Sequence, residues 1–385
     1  MKILIVSLFL PQKKAYHAGG RFVFEAIRHL SEKHEIHLVV RLSKDEIPGL
    51  ESLRPFCKEI FPYTFSASEK RTVFHNIKLI FNYICFSRYA DYIARNGEFH
   101  AVQVEWVETA LMMKRRKTPM LLDAQDVITK PAERMKIQST GLRRLFMYAR
   151  YFGYKTIERR IVNRFQAVFT RSENDKIYLE SMNTGLKVTV IPHPAGLDIT
   201  GREIVRRRNN ILFLASYKYR KVNVDAALHF YRNVFPIVRR EIPDAKFIIA
   251  GYGPPEELRS LQRNDNGVVV TGFVDDIDEC YKRAGVFVAP ILIGGGIIVK
   301  ILDALAAGTP VVTTSYGNEG IMAMPGRDLI VADSHEDFAD AVIKVLLDEK
   351  LAKSLSANGR EFVRQNFSRD AVMSKMDSVY QELVK

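Results

Sequence analysis

The feature that most restricts the fold of this 385-residue chain is an alternation that runs once and then starts again. In the first half, "KILIVSLF", "EIHLVV", "AVQVEW", "PMLLDA", "AVFTRS" and "KVTVIP" are short apolar runs separated by longer stretches of helical periodicity. The pattern resumes with "NNILFLAS", "KFIIAG", "GVVVTG", "GVFVAP", "TPVVTT" and "DLIVAD". Short runs that are apolar on both faces read as strands of parallel sheets covered by helices on each side. Two series predict two doubly wound α/β domains of ordinary size. The seam falls in the Pro-, Gly- and charge-rich stretch Ile191–Asn210. The expected division is 1–195, 196–367 and a terminal helical segment, 368–385. Open parallel sheets bind ligands beyond the carboxyl ends of their strands, so two facing domains would hold one in a cleft.

Other architectures are excluded by composition. Three cysteines (Cys57, Cys85, Cys280) without CxxC or Cys/His spacing give neither a disulfide framework nor a zinc site. "MKILIVSLFLPQ" breaks at Pro11 and reads as a first strand rather than a signal peptide. "IKLIFNYICF" covers about half a bilayer span, so no transmembrane helix is expected. A cytoplasmic protein, peripheral on the inner face of the membrane at most, is the resulting expectation. The net charge is +13, and residues 1–200 hold 32 Lys/Arg against 20 Asp/Glu, or +12 of it. Such asymmetry points to an anionic partner.

The densest local signal is "GGGIIVKILDALAAGTPVV" (Gly294–Val312). Gly294, Gly295 and Gly296 follow the strand "GVFVAP" and allow a tight turn and close backbone approach. A helix expected to begin near Ile297 then aims its free N–H groups at the loop, which suits a phosphate. Lys300 and Asp303 share one helix face. About 10 Å of helix rise separates Gly296 from Asp303, the spacing of a diphosphate and a ribose. Gly19 and Gly20, between the first strand and first helix, lie where phosphate meets backbone in doubly wound domains. Lys218, Arg220 and Lys221 follow the first strand of the second series, placed to clamp a diphosphate.

These residues carry a resemblance. "VDAALHFYRNVFPIVRREIPDAKFIIAGYGP", "VVVTGFVDDIDECYKRAGVFVAP", "GGGIIVKILDALAAGTPVVTTSYGNEGI" and "FSRDAVMSKMDSVYQEL" are similar to the C-terminal domain of retaining GT-B glycosyltransferases, glycosyltransferase family 4. "AGGRFVFEAIRHL", "LLDAQDV" and "AVFTRSENDKIYL" resemble its N-terminal domain more loosely. The resemblance implies two Rossmann-like domains, with the terminal helix crossing back to the first. It also implies a nucleotide-diphosphate sugar, UDP- or GDP-linked, as substrate, with no cofactor. Two acids usually stand eight positions apart in that family. The second, which holds the ribose, falls on Asp303, and the first falls on Gly295. Lys300 with Lys218, Arg220 or Lys221 would neutralise the diphosphate, while Ile298 stands where many relatives carry arginine. Ile297 and Ile298 would line the donor site, and Phe273–Val274 in "GFVDD" would contact the base through the backbone.

A His-Asp pair common in relatives reads Gln125-Asp126 here. Gln125 cannot titrate, but chemistry in which the leaving phosphate takes the acceptor proton needs no strong protein base. Lys300, Asp303, Gln125 and Asp126 are therefore the expected catalytic residues, with Glu105 and His17 on the acceptor side. No Asp-x-Asp cluster suggests a metal, and no nucleic acid is expected as partner. "RRLFMYARYFGYKTIERRIVNRF" (Arg143–Phe165) interleaves arginines with aromatics at helical spacing, suited to a membrane surface or a polyprenyl-diphosphate acceptor. It equally suits a helix whose aromatic stripe is buried. The expected activity is sugar transfer to a glycan or lipid-linked glycan in cell-envelope polysaccharide assembly. A sugar-nucleotide epimerase or hydrolase of the same fold, or a non-catalytic nucleotide- or membrane-binding protein, remain the alternatives.

Overall fold

The computed structural model describes residues 1–13, 15, 18–65, 75–138, 140–183, 185–196, 207–218, 220–292 and 297–383. The chain divides into two compact units, Met1–His193 with Met373–Lys385, and Pro194–Val372.

The first unit contains a seven-stranded parallel sheet. Its strands are β1 (Lys2–Ser7), β2 (Glu35–Ser43), β3 (Glu59–Phe65), β4 (Ala101–Glu105), β5 (Met120–Asp123), β6 (Ala167–Thr170) and β7 (Val188–Val190). They run in the order β3-β2-β1-β4-β5-β6-β7, so the order reverses between β1 and β4. The second unit contains β8 (Arg207–Leu214), β9 (Lys246–Ala250), β10 (Val268–Gly272), β11 (Ala284–Ala289), β12 (Val311–Thr313) and β13 (Ile330–Val331). Its order is β10-β9-β8-β11-β12-β13, with every pair parallel and the reversal between β8 and β11.

Burial accounts for the strands. Along β11 all six residues are buried, and four of the five in β9 are shielded in some degree, as expected of sheets covered on both faces. The second unit's core is continuous from Ile211 and Phe213 of β8, through Phe230 and Phe235, to Val342 and Val363. Each expected apolar run coincides with a strand. The thirteenth strand, β3, is absent from the expected set: "EIFPYTF" carries Pro62 and alternates exposed with half-buried residues. Proline lacks a ladder donor and is tolerated at an edge, which is where β3 lies.

The terminal helix Arg369–Leu383 returns the chain to the first unit. Met373, Met376, Val379 and Tyr380 of this helix are buried. Its Asp377 meets His29 at 3.1 Å and Lys33 at 3.0 Å.

Candidate active site

In the second unit, the loops after β8 and β11 flank the point where strand order reverses. Ligands of open α/β sheets bind at such a point. Lys300 stands one residue into the helix Val299–Ala306, which starts two residues later than the sequence predicts. Its Nζ donates to Asn223 Oδ1 at 2.7 Å, and Asn223 Nδ2 donates to the Ser216 carbonyl at 2.7 Å. One amide thus ties the lysine to the loop after β8. The Lys300 ammonium also lies 4.9 Å from the Phe213 ring centroid, and its carbonyl accepts from Tyr281 Oη. Burial, reinforced by the charge of Arg220, lowers the Lys300 pKa to about 8. Two cations held together against their mutual repulsion make a ready anion site.

The loop after β9 closes on the same place. Gly251 (φ 128°) and Gly253 (φ 68°) adopt backbone conformations that favour glycine. A Cβ on Gly251 would lie 1.9 Å from the Ala215 carbonyl oxygen, and one on Gly253 would lie 2.6 Å from Lys218 Cβ. Between them, Tyr252 accepts from the Tyr217 amide through its carbonyl, and its hydroxyl meets Lys218 Nζ at 3.2 Å. After β10, the 69%-exposed ring of Phe273 stands edge-on to Tyr252 at 6.3 Å. Val274 beside it is half-buried. Asp303 Oδ1 accepts the Gly196 N–H at 2.7 Å. Lys221 is exposed and pairs with Asp225 along its own helix, rather than adding its charge to Lys300. Ile297 and Ile298 are half-buried, and Gly294, Gly295 and Gly296 lie outside the described residues.

In the first unit, the strand ends at the reversal between β1 and β4 carry a buried polar network. Glu105, last in β4, is fully buried; its oxygens accept from Gln103 Nε2 and, at 2.9 Å, from Gln125 Nε2. Gln125 Oε1 accepts from Arg171 Nε at 3.1 Å. Arg171 grips Asp123 with both carboxylate oxygens at 2.6 Å, donates to the Ile191 carbonyl, and stacks on Phe22. Tyr380 of the terminal helix donates to Gln103. Burial first, then the Asp123 charge, holds the Glu105 carboxyl well above the usual range. Burial also raises Asp123, against the pull of Arg171. One arginine therefore faces two buried carboxyls, and burial with the Asp123 charge favours the neutral form of Glu105.

Trp106 follows Glu105 with φ 65°, a strained conformation for a bulky residue. Its ring lies 2.8 Å from where a Gly19 Cβ would stand, and Gln125 Oε1 lies 3.2 Å from that point. Gly19 is thus required by the approach of two side chains. Gly20 beside it is buried, Asp126 is exposed, and His17 lies outside the described residues.

Residues 208–348 match the family described as Glycosyl transferases group 1. Over 155 residues the chain is 30% identical to the GDP-mannose-dependent alpha-(1-6)-phosphatidylinositol monomannoside mannosyltransferase of Mycobacterium tuberculosis, covering 37% of this chain and 40% of that one. Residues 208–348, within the second unit, therefore carry a group 1 glycosyltransferase domain. An uncharacterized 44.6 kDa protein in the cps region of Klebsiella pneumoniae is 23% identical over 97% of this chain and 98% of its own. The sucrose-phosphate synthase structure from Thermosynechococcus elongatus superposes with a TM-score of 0.72 at 16% identity, covering 100% of this chain and 99% of that one. The fold is GT-B.

Within the group 1 domain, sequence reasoning located Lys300 and Arg220, which the structure brings together. It missed Asn223, two residues beyond Lys221, and Tyr252, between two glycines. Glu105 and Gln125 were expected to face substrate; instead they are sealed and occupied by each other and by Gln103 and Arg171. The signal for the network was present: Asp123 and Arg171 are charges at the ends of otherwise apolar runs, and buried charges require partners.

The helix Gly141–Val162 answers the question left by its sequence. Met147, Tyr151, Ile161 and Val162 face inward, whereas Leu145, Phe146, Phe152 and Ile157 are exposed beside Arg144, Arg150, Arg159 and Arg160. Its one acid, Glu158, is buried and accepts from the Ile128 and Thr129 amides. Among the described residues no helix is long and apolar enough to cross a membrane, and no three His, Cys, Asp or Glu converge to hold a metal ion.

Proposed function

We propose that this glycosyltransferase moves a sugar, with retention at the anomeric carbon, from a nucleoside-diphosphate donor to a glycan or lipid-linked glycan acceptor. The observation that carries the reading is the pairing of Lys300 with Asn223 beside Arg220 at the strand reversal of the group 1 domain. A rigid, partly desolvated cation stabilises a departing diphosphate more than the bound donor, because charge develops on the leaving oxygen. The bond from the anomeric carbon to the phosphate oxygen breaks. A bond to the acceptor oxygen forms on the same face, and the acceptor proton passes to the departing phosphate. Gln125 supplies no base, and Lys300 with Arg220 takes the charge-neutralising role that a metal would otherwise fill.

Asp303 is assigned to the ribose, and the backbone at Phe273–Val274 to a UDP or GDP base. Lys218 joins the diphosphate contact, and Asp126, exposed after β5, is the acceptor-side acid. The mycobacterial relative's name, GDP-mannose-dependent and acting on a phosphatidylinositol mannoside, supports a nucleotide-sugar donor and a lipid-borne acceptor. The arginine-rich exposed face of Gly141–Val162 supports a peripheral position on an anionic cytoplasmic membrane surface, and a role in cell-envelope polysaccharide or glycoconjugate assembly.

The test is a panel of UDP- and GDP-sugars assayed for slow hydrolysis and for binding, with Lys300→Ala and Asp303→Ala. Both variants should lose donor affinity, and Lys300→Ala should lose turnover by about 100-fold or more, the scale of one preorganised charge contact. Full turnover and donor affinity in both would remove the assignment.

A further inference from the structure

Arg41 sits near the carboxyl end of β2, in register with Tyr63 of β3. It is 5% exposed, although the run "IHLVVRLS" gives no sequence signal for an internal cation. Its guanidinium stacks 3.6 Å from the Phe65 ring centroid and 5.1 Å from that of Tyr83. Nε donates to Asn82 Oδ1 at 2.5 Å, on the helix His75–Asn96 that covers this face of the sheet. Among the described residues no carboxylate pairs with it. The nearby Glu46 is committed to the Ser43 amide and hydroxyl at 2.8 and 3.0 Å. The two terminal nitrogens donate to no described residue, yet neither is among the sealed, unsatisfied atoms.

A buried guanidinium without a direct ion-pair partner is costly, and burial accordingly depresses its pKa, only partly offset by the more distant Glu46 charge. Two aromatic faces hold the plane but leave the forked edge, which is shaped for a two-oxygen anion, without a partner among the described residues. That edge belongs to the end of the sheet where open α/β folds bind ligands. The same region holds Glu108, which acts electrostatically on Tyr83 and whose own carboxyl is raised by burial and then by the Asp126 charge.

We propose that Arg41 is an anion-reading residue of the acceptor site and that it binds a phosphate or carboxylate group carried by the acceptor. The proposal rests on the reading of the first unit as the acceptor unit. It adds that the acceptor is anionic and names the side chain that recognises the charge.

The experiment titrates the full chain calorimetrically with inorganic pyrophosphate and, separately, with glucuronate. Wild type is compared with Arg41→Lys, Arg41→Gln and Lys300→Gln. Arg41→Lys keeps the charge and the stem, so it guards against a variant that fails to fold. A binding event weakened at least tenfold in both Arg41 variants and retained in Lys300→Gln supports the proposal. Pyrophosphate as the sole responding probe assigns a phosphate, and glucuronate a carboxylate. Binding lost only in Lys300→Gln places the anion in the donor unit and overturns the Arg41 assignment while leaving the donor reading intact. Binding of neither probe to wild type overturns it too, as do Arg41 variants that melt early but bind both probes as wild type does.

Discussion

Lys300 and Asn223 meet at 2.7 Å across the strand reversal of the second sheet, joining the helix after β11 to the helix Lys221–His229 that follows β8. The contact fixes an ammonium that burial and Arg220 both work to discharge. Donor affinity should therefore depend on pH in an unusual range. Below about 8 the lysine is charged and attracts diphosphate; above it, the cation is lost. Nucleoside-diphosphate affinity, measured calorimetrically from pH 6.5 to 9.5, should fall through that range in wild type and stay flatter in Lys300→Arg. An unchanged wild-type affinity up to pH 9.5 would contradict the assigned role.

Stability should move in the opposite sense. The folded-state pKa of Lys300 is depressed below its ordinary 10.5, so the folded chain binds fewer protons than the unfolded chain between about 8 and 10.5. Stability then rises with pH across that window, and the charged lysine is a liability below it. Lys300→Met should leave the ligand-free protein as stable as wild type at pH 7, or more stable by roughly 1 kcal/mol, while abolishing donor binding. Chemical denaturation at pH 7 and 9 checks this; a variant several kcal/mol less stable at pH 7 refutes it.

Gly251 and Gly253 shape the proposed donor site through backbone rather than side chains. Gly251→Ala places a Cβ 1.9 Å from a carbonyl oxygen at φ 128°, where neither partner can yield cheaply. Destabilisation of about 2–4 kcal/mol is expected, with loss of nucleotide binding in whatever protein remains folded. Gly272→Ala is the control. It is also at positive φ (72°) but meets nothing within 4 Å, so strain alone should cost about 1 kcal/mol. Equal melting temperatures for the two variants would show that the close approach to Ala215 is unimportant.

The sheets were legible because burial on both faces writes itself into sequence as uninterrupted apolar runs. β3 was not, since an edge strand with Pro62 lacks that pressure. Lys300 and Arg220 were legible because glycine and charge at a strand-to-helix joint have a short list of physical uses. The Glu105 network was misjudged for a different reason. A polar residue at a strand's carboxyl end has the same sequence signature whether it points to ligand or inward, and only the positions of Gln103, Arg171 and Tyr380 decide between them. Arg171 is 48 residues from Asp123, and Tyr380 is 277 from Gln103, distances over which no local pattern reaches.

That network yields a paired prediction. Arg171→Met strands the buried Asp123 carboxylate and should cost about 3–5 kcal/mol. Glu105→Gln replaces a carboxyl whose ionised form burial and the Asp123 charge disfavour, and should cost under about 1 kcal/mol at pH 7. Because the folded pKa of Glu105 is raised, wild type loses stability as pH climbs from its ordinary 4.5 toward the folded value, and Glu105→Gln does not. Denaturation at pH 5 and 8 should thus show the variant gaining on wild type at the higher pH. A gap that is constant or widens against the variant would mean Glu105 is ionised in place.

The exposed face of Gly141–Val162 makes the last prediction. Leu145 and Phe146 are 71% and 64% exposed, so removing them costs the folded state little. If the face lies on an anionic bilayer, each arginine near the surface contributes about 1 kcal/mol and the apolar side chains add burial in the headgroup region. Arg150→Glu with Arg160→Glu should therefore cut co-sedimentation with phosphatidylglycerol vesicles by tenfold or more, and Phe146→Ser with Phe152→Ser should do so with less dependence on salt. Melting temperatures should stay within a few degrees of wild type, and slow hydrolysis of a soluble nucleotide-sugar should be unaffected. Vesicle binding that survives all four substitutions would assign this face to something other than a membrane.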